Sequence, residues 1–396
     1  VPNYCSYPFG AFFIAIAVGL HGQNVPSPSP YVQVMQKAAA HARSFGAPTP
    51  VLSPLDQSVL PEGPAAEHAV KVPIGELHAI GIRVIPWTTN DPEKMRAIIG
   101  SGADGLITDR PDILERVLQE EKEKAEGGDR KRLKNFDVAA HRGGRGLRPE
   151  NTLPSFESGL DQLSSTLETD TGVSTDHVST IWHDQFYNPE SCRRADGQPY
   201  TMNNRIYLRD ISSTEAQKIF ICDKLHFGPD QKNDLSLSPV AVAFAAKEGL
   251  RNPYVPTYVD QLFRFVQFYV DYYRSGAGKD TPNAAAKAAN ANRIRFNLET
   301  KIHPDLPSST RPNQSAQVSA ELLKNHTVSP AEFVSVLAGT IERHHMESRC
   351  EIQSFDFRTL QLTEKDHRRI PTYYLTGDPA LLWSDLVPES LRATHP

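Results

Sequence analysis

The sequence predicts an α/β fold, a TIM (β/α)8 barrel. Short apolar, β-rich runs alternate with segments of helical spacing, the pattern of parallel strands joined by crossover helices. Eight of the runs read as strands, enough to close a ring. Histidines and carboxylates fall at the ends of several of them, where a parallel barrel assembles its chemistry.

In chain order, strands are expected at Ile82–Thr88, Gly105–Thr108, Val138–His141, Thr166–Asp170, Val178–His183, Ile294–Thr300, Glu351–Phe355 and Pro371–Thr376. Pro50–Ser53 is a ninth candidate, but the prolines around it favour a loop or a short edge piece. Helices are expected between several of these. Val32–Ser44 is Ala-rich, and Pro92–Ser101 follows an Asn90-Asp91 cap. Pro154–Leu163 and Pro330–Met346 carry apolar residues at helical spacing, each with Pro near its start, and Thr257–Arg274 is a further helix.

Two stretches read as connections. Gln119–Asn135 begins as a Glu/Lys helix, breaks at Gly127-Gly128 and ends in a basic cluster, which suits a solvated linker better than a binding patch. Gln185–Pro256 is long, polar and turn-rich, an insertion of the kind that shapes a pocket at a barrel mouth.

At 396 residues the chain is long enough for one large barrel or two domains. A net charge of −5 gives no global attraction for nucleic acid or an anionic membrane, so recognition of an anion has to be local. The longest apolar run, Phe12–Leu20, is too short to span a bilayer and has no basic flank. It is expected to be a buried strand or helix. Of the four cysteines, Cys192 and Cys222 share the insertion and are candidates for a disulfide, with two buried thiols as the alternative. Cys5 and Cys350 carry no assignment. Asn313-Gln314-Ser315 and Asn325-His326-Thr327 match the glycosylation triplet. Together these features lean toward an exported, periplasmic or extracellular location, with a cytoplasmic one still open.

Glu168 and Asp170 stand two apart on a strand and therefore share a face. Glu299 ends another strand and can join them. A ligand set of carboxylates without Cys suits a hard cation, Mg²⁺ or Ca²⁺. His141 and His183 each end an expected strand, and two imidazoles converging on one phosphate form an acid/base pair. Arg142 can offer a planar guanidinium to phosphate oxygens, or can be an ion-pair partner of Asp184 or Glu150. Lys301 can add a point charge. Neither a dinucleotide-binding glycine pattern, a Walker A sequence nor a Gly-x-Ser-x-Gly elbow is present, which disfavours nucleotide-dependent phosphoryl transfer and serine-esterase chemistry.

The set His141-Arg142, Glu168-Thr169-Asp170 and His183-Asp184 resembles the signature of the glycerophosphodiester phosphodiesterases. Pro149-Glu150-Asn151-Thr152, Glu299-Thr300-Lys301, Gln353-Ser354-Phe355-Asp356, Trp87-Thr88 and Thr108-Asp109-Arg110-Pro111 extend the likeness over most of Pro48–Thr376 apart from the insertion. The resemblance implies a TIM barrel that hydrolyses a glycerophosphodiester to glycerol 3-phosphate and an alcohol with one divalent ion. By it, Glu168, Asp170 and Glu299 hold the metal, His141 and His183 serve as acid and base, Arg142 and Lys301 bind phosphate, and Trp87 and Phe355 line the glycerol pocket. It also implies attack by a neighbouring substrate hydroxyl to give a cyclic phosphate that water then opens. Which histidine acts as acid first does not follow from sequence.

The motifs stand in an unusual order. In that family the Trp-Thr and Thr-Asp-x-Pro elements close the chain, whereas here they precede His141. The barrel therefore reads as circularly permuted, with a long insertion after the third strand. Residues 1–118 are expected to supply its last strands and helices, 119–136 a charged linker, and 137–396 the first six strands, including the insertion 185–256. Gly105–Thr108 should then pair beside Val138–His141, with Ile82–Thr88 the next strand out. The rival reading is a tandem array cut in mid-copy and closed by a domain-swapped dimer. Two further functional readings are a lipid-head-group phospholipase of the sphingomyelinase D or phosphatidylinositol type and a barrel with a binding role alone. The first would use Phe12–Leu20 as an apolar rim, and the second has no need of the full set of histidines and acids. No nucleic-acid partner and no stable membrane insertion is expected, only a small glycerophosphodiester.

Overall fold

The computed structural model describes residues 28–62, 69–302 and 325–394. Phe12–Leu20, Cys5 and Asn313-Gln314-Ser315 lie outside the described residues. The strands, in chain order, are β1 (Val51–Pro54), β2 (Gly105–Thr108), β3 (Asp137–Ala140), β4 (Thr166–Val173), β5 (Ser179–Ile181), β6 (Arg193–Arg194), β7 (Phe220–Ile221), β8 (Thr257–Tyr258), β9 (Arg295–Thr300), β10 (Cys350–Ser354) and β11 (Thr372–Thr376).

Seven of these form a parallel path in the order β1-β11-β10-β9-β4-β3-β2. Segment 82–88 fills the gap between β1 and β2 through the parallel bridges Leu52↔Val84, Leu55↔Trp87 and Trp87↔Ile107. Hydrogen bonds from Leu52 N to Arg83 O (3.0 Å), Trp87 N to Pro54 O (3.0 Å) and Ile107 N to Pro86 O (2.9 Å) complete the ring of a TIM barrel. Pro86 has no N–H to give, which interrupts the ladder and leaves bridges in place of a continuous strand.

Alternation along the strands sorts the residues into two cores. Leu52, Val84, Leu106, Val138 and Tyr374 face the helices in the large outer core. Their neighbours Val51, Ile85, Ile107, Ala139 and Tyr373 pack together inside the barrel. One layer below, Arg295 joins Asp137 (2.5 Å) and Glu351 (2.7 Å), while Arg83 donates to the Tyr373 hydroxyl (3.1 Å), so the N-terminal end is plugged by paired charges. Two residues above Ile85, Ile107 and Ala139, the same segments present Trp87, Asp109 and His141, and the segments of β9 and β10 add Glu299, Gln353 and Phe355. The period of two thus lifts these side chains to the C-terminal mouth.

The join between β2 and β3 depends on a glycine. A Cβ at Gly105 would lie 2.6 Å from Asp137 Cβ and 2.7 Å from Asp137 O, so only glycine lets the two strands reach pairing distance there.

Three expectations need correction. Pro50–Ser53 is not a loop or an edge piece: Val51–Pro54 is a barrel strand, paired with β11 from Val51↔Tyr373 to Pro54↔Thr376. Its flanking prolines sit at the strand ends, where a missing N–H is tolerated. Val178–His183 is not a barrel strand: β5 turns back antiparallel to β4 and pairs with β8. Its apolar alternation comes from burial against neighbouring elements outside the ring. The part after Asp137 accordingly supplies five barrel strands and not six, and the insertion follows this returning hairpin, not a third barrel strand. The helix expected from Gln119 does break, at Ala125-Glu126 directly before Gly127-Gly128, and the chain is helical on both sides, Pro111–Lys124 and Gly127–Lys134. Leu133 is buried and Arg132 donates to Ala103 O (2.8 Å), which docks the second helix on the barrel.

The insertion has its own small core of Trp182, Tyr187, Cys192, Tyr200, Leu208, Ile211, Ala216, Phe220 and Cys222. Cys192 and Cys222 are joined by a disulfide, and Cys350 is a buried free thiol. Expected helices appear at Pro30–Ser44, Pro92–Gly100, Leu153–Asp161, Val259–Arg274 and Pro330–Arg343. Asp91 caps the second of these by accepting from Glu93 N and Lys94 N. Among the described residues no helix is long and apolar enough to cross a membrane.

Candidate active site

Three carboxylates meet at the mouth. Glu168 and Asp170 rise from β4 and Glu299 from β9, and the register pairs Asp170 with Glu299 directly. All three are buried, and each offers an oxygen within 4.8 Å of the others. Each is held by a neighbour. Gln353 Nε2 donates to Glu168 Oε1 (2.6 Å) and Arg142 N to Glu168 Oε2 (2.9 Å). Asn151 Nδ2 donates to Asp170 Oδ2 (2.9 Å), and Lys301 Nζ to Glu299 Oε1 (2.8 Å).

The electrostatics of the cluster are unbalanced. Burial and the charges of Asp170 and Glu299 push the Glu168 carboxyl well above its usual range. Burial also raises Glu299, against the pull of Lys301. Burial works against the charge of Asp170 too, yet Arg142, His183 and Lys301 hold its carboxyl well below the ordinary value. Counting Glu150, which pairs with Arg142, four carboxylates face two permanent cations, Arg142 and Lys301. Asp170 Oδ1 is buried without a hydrogen-bond partner, with Lys301 Nζ 3.7 Å away. An all-oxygen set with a spare lone pair and surplus charge fits a hard divalent cation.

His141 sits at the end of β3, where the chain turns sharply. Arg142 adopts a left-handed conformation (φ 51°, ψ 36°), and Gly143 and Gly144 follow with φ of 81° and 103°. This run of positive φ aims the Arg142 N–H at Glu168 and keeps the imidazole over the cluster. A Cβ at Gly143 would lie 2.6 Å from Ser155 Oγ and 2.7 Å from Phe156 N, so the turn packs directly on the following helix. His141 Nδ1 faces Asp109 Oδ1 (2.5 Å), and Nε2 lies 3.9 Å from Glu168 Oε2. Burial draws the imidazole down to about 4 against the raising pull of Asp109. Burial opposes the charge of Asp109 as well, but His141 and Arg145 hold its carboxyl well below the usual range.

His183 lies two residues beyond β5, with Nδ1 2.8 Å from Asp184 Oδ1. Asp184 is itself fixed by Asn188 Nδ2 (2.8 Å). The side chain of His183 is 33% exposed and that of His141 12%, so His183 stands nearer the opening. Both histidines bear electrostatically on Asp170.

Arg142 is buried, its Nη1 2.5 Å from Glu150 Oε2 and its Nε 3.2 Å from Asp170 Oδ2. The ion-pair reading with Glu150 is therefore realised, and that with Asp184 is replaced by Asp170. Trp87 and Phe355 meet edge to face with centroids 5.5 Å apart, and Lys301 Nζ lies 6.0 Å from the Phe355 ring. Trp87 Nε1 donates to Ser53 O (3.0 Å), which fixes the indole at the rim.

Sequence reasoning gave no role in the site to Asp109, Asn90, Arg145, Asn151 and Gln353. Asp109 accepts from His141, from Arg145 Nε (2.7 Å) and from Asn90 Nδ2 (2.8 Å). All five stand inside or beside motifs recognised from the sequence. The signal was present, but a linear motif does not say which members turn inward.

Compared with known proteins, the chain matches the sequence model of the Glycerophosphoryl diester phosphodiesterase family over residues 28–113 and 141–270. It is 32% identical over 124 residues to glycerophosphodiester phosphodiesterase domain-containing protein 4 of Macaca fascicularis, a match covering 31% of this chain and 18% of that protein. The chain thus aligns with less than a fifth of that relative's length. Among solved structures, a provisionally named glycerophosphoryl diester phosphodiesterase from Silicibacter pomeroyi is 20% identical with a TM-score of 0.41, over 66% of this chain and 69% of that one. A phosphodiesterase from Oleispira antarctica, solved with the product sn-glycerol-3-phosphate, is 15% identical with a TM-score of 0.33, over 60% and 65%.

Proposed function

The chain belongs to the glycerophosphoryl diester phosphodiesterase family, and on that premise we propose that it hydrolyses glycerophosphodiesters to glycerol 3-phosphate and an alcohol, with a divalent cation as cofactor. The observation that carries this reading is the meeting of three buried carboxylates within 4.8 Å under two imidazoles, each backed by an aspartate. Glu168, Asp170 and Glu299 would hold the cation, Mg²⁺ or Ca²⁺ by the hardness of the ligands. Bound there, it would withdraw electron density from the phosphoryl group.

The chain's own residues do the rest. Arg142 and Lys301 set positive charge against the phosphate oxygens, and the Trp87–Phe355 pair walls the glycerol. With Nδ1–H given to Asp109, neutral His141 keeps a lone pair on Nε2 that can accept a proton. One imidazole takes the proton of the glycerol hydroxyl beside the phosphate as that oxygen bonds to phosphorus. The bond from phosphorus to the alcohol breaks, and the other imidazole protonates the departing oxygen. Water then opens the cyclic phosphate with the proton roles exchanged.

The circular permutation belongs to the same proposal. Residues 1–118 would carry the family's closing elements, 119–136 the splice and 137–396 the rest of the barrel. Pairing of β2 with β3 inside one chain supports a splice of former ends over a domain swap. The Cys192–Cys222 disulfide supports an oxidising, exported location.

Hydrolysis of glycerophosphocholine with Mg²⁺ or Ca²⁺, with and without chelator, tests the reading beside His141→Ala. Release of glycerol phosphate by the native chain is expected, falling about 100-fold or more in the variant. Equal background rates in all samples would remove the enzymatic reading.

A further inference from the structure

The insertion does more than border the mouth. Its turn 226–231 is organised by one buried amide: Gln231 Oε1 accepts from His226 N (2.8 Å) and Phe227 N (3.2 Å). The other end of that amide leaves the insertion, Nε2 donating to Arg145 O (2.8 Å) and Arg148 O (3.3 Å). Lys232 N donates to Leu147 O (3.0 Å), and Arg110 Nη1 meets Asp230 Oδ2 (2.6 Å). The turn is therefore pinned both to the loop after His141 and to the residue after Asp109.

Between these pins the Arg145 guanidinium lies 4.2 Å from the centre of the Phe227 ring. Its Nε reaches Asp109 Oδ1 (2.7 Å), the same oxygen that faces His141 Nδ1. Arg145 Nη1 also approaches Glu150 Oε2 (3.7 Å), so the charge has more than one carboxylate within reach. We infer that Phe227 is a positioning residue: by stacking Arg145 it orients Asp109, and through Asp109 the imidazole of His141. The substrate never has to touch it. The insertion would then set the readiness of His141 as well as bounding the pocket.

The inference rests on the phosphodiesterase reading for its kinetic readout, so a second readout without turnover accompanies it. In the full chain, Phe227→Leu keeps the apolar bulk and removes the ring face, while Phe227→Tyr keeps the face. Phe227→Leu is expected to lower kcat on glycerophosphocholine about three- to tenfold with KM within about twofold, and Phe227→Tyr to restore it. The downfield proton on His141 Nδ1, identified by its loss in Asp109→Asn, is expected to move in Phe227→Leu and return in Phe227→Tyr. A rise in KM at constant kcat would make Phe227 a pocket wall and overturn the inference. So would equal impairment of both variants, or an unmoved proton resonance. If the native chain does not turn over glycerophosphocholine, the functional reading falls, and the resonance comparison still decides this one.

Discussion

Asp109 and His141 face each other at 2.5 Å across β2 and β3, although the chain reaches them in the reverse of the order expected from the family's motifs. Asp109 lies just past the last residue of β2, His141 just past the last residue of β3, and the register Thr108↔Ala140 brings the two ends level. The contact joins the two halves of the sequence at the point where the chemistry is expected.

Asp109→Asn should keep the fold and impair the imidazole. An amide can present its N–H to Nδ1, which favours the tautomer with Nε2 protonated. A drop in kcat of about 100-fold with little change in KM is expected from steady-state kinetics. Acid stability should change as well. The folded Asp109 carboxyl is depressed, so its contribution is present above the unfolded value and lost as pH falls through the folded one. The stability gap between native and Asp109→Asn protein, measured by denaturant unfolding, should therefore shrink as pH is lowered below about 4.

Divalent cations should stabilise the folded chain, because three buried carboxylates with surplus charge lose their mutual repulsion on binding. At about a hundred times Kd the gain is about 2.7 kcal/mol, a rise of several degrees in Tm. Glu299→Gln should lose most of that rise, and chelator should remove it from the native protein. A Tm indifferent to Mg²⁺, Ca²⁺ and chelator would count against the ligand assignment.

Gly105→Ala should loosen the join between the two halves. The added Cβ would press on the backbone of Asp137 at 2.7 Å, which cannot rotate away. A loss of about 1–3 kcal/mol is expected by denaturant unfolding. Gly128→Ala, whose Cβ meets nothing within 4 Å, is the matched control and should be nearly neutral.

Loss of the disulfide should act on the insertion first. Cys192 and Cys222 are 30 residues apart, so their bond removes about 3–4 kcal/mol of loop freedom from the unfolded segment. A Cys192→Ala, Cys222→Ala double variant should be cut by protease within 185–256 before the barrel is touched. Cleavage at the native rate would show that the small core around Trp182 and Phe220 holds the insertion unaided.

The sequence by itself determined the class of fold and the membership of the candidate site. Glu168, Asp170, Glu299, His141 and His183 were legible because a strand's period of two and its C-terminal end are local properties. So was the pairing of Gly105–Thr108 with the strand before His141. The tertiary structure decided which strands close the ring. Val51–Pro54 is in and Val178–Ile181 is out, because membership depends on a partner's unpaired backbone edge and not on a segment's own composition. It alone decided which polar residues serve which others. Asp109, Arg145 and Gln231 act through partners far away in sequence, and a hydrogen bond across such a distance leaves no periodic mark on the chain.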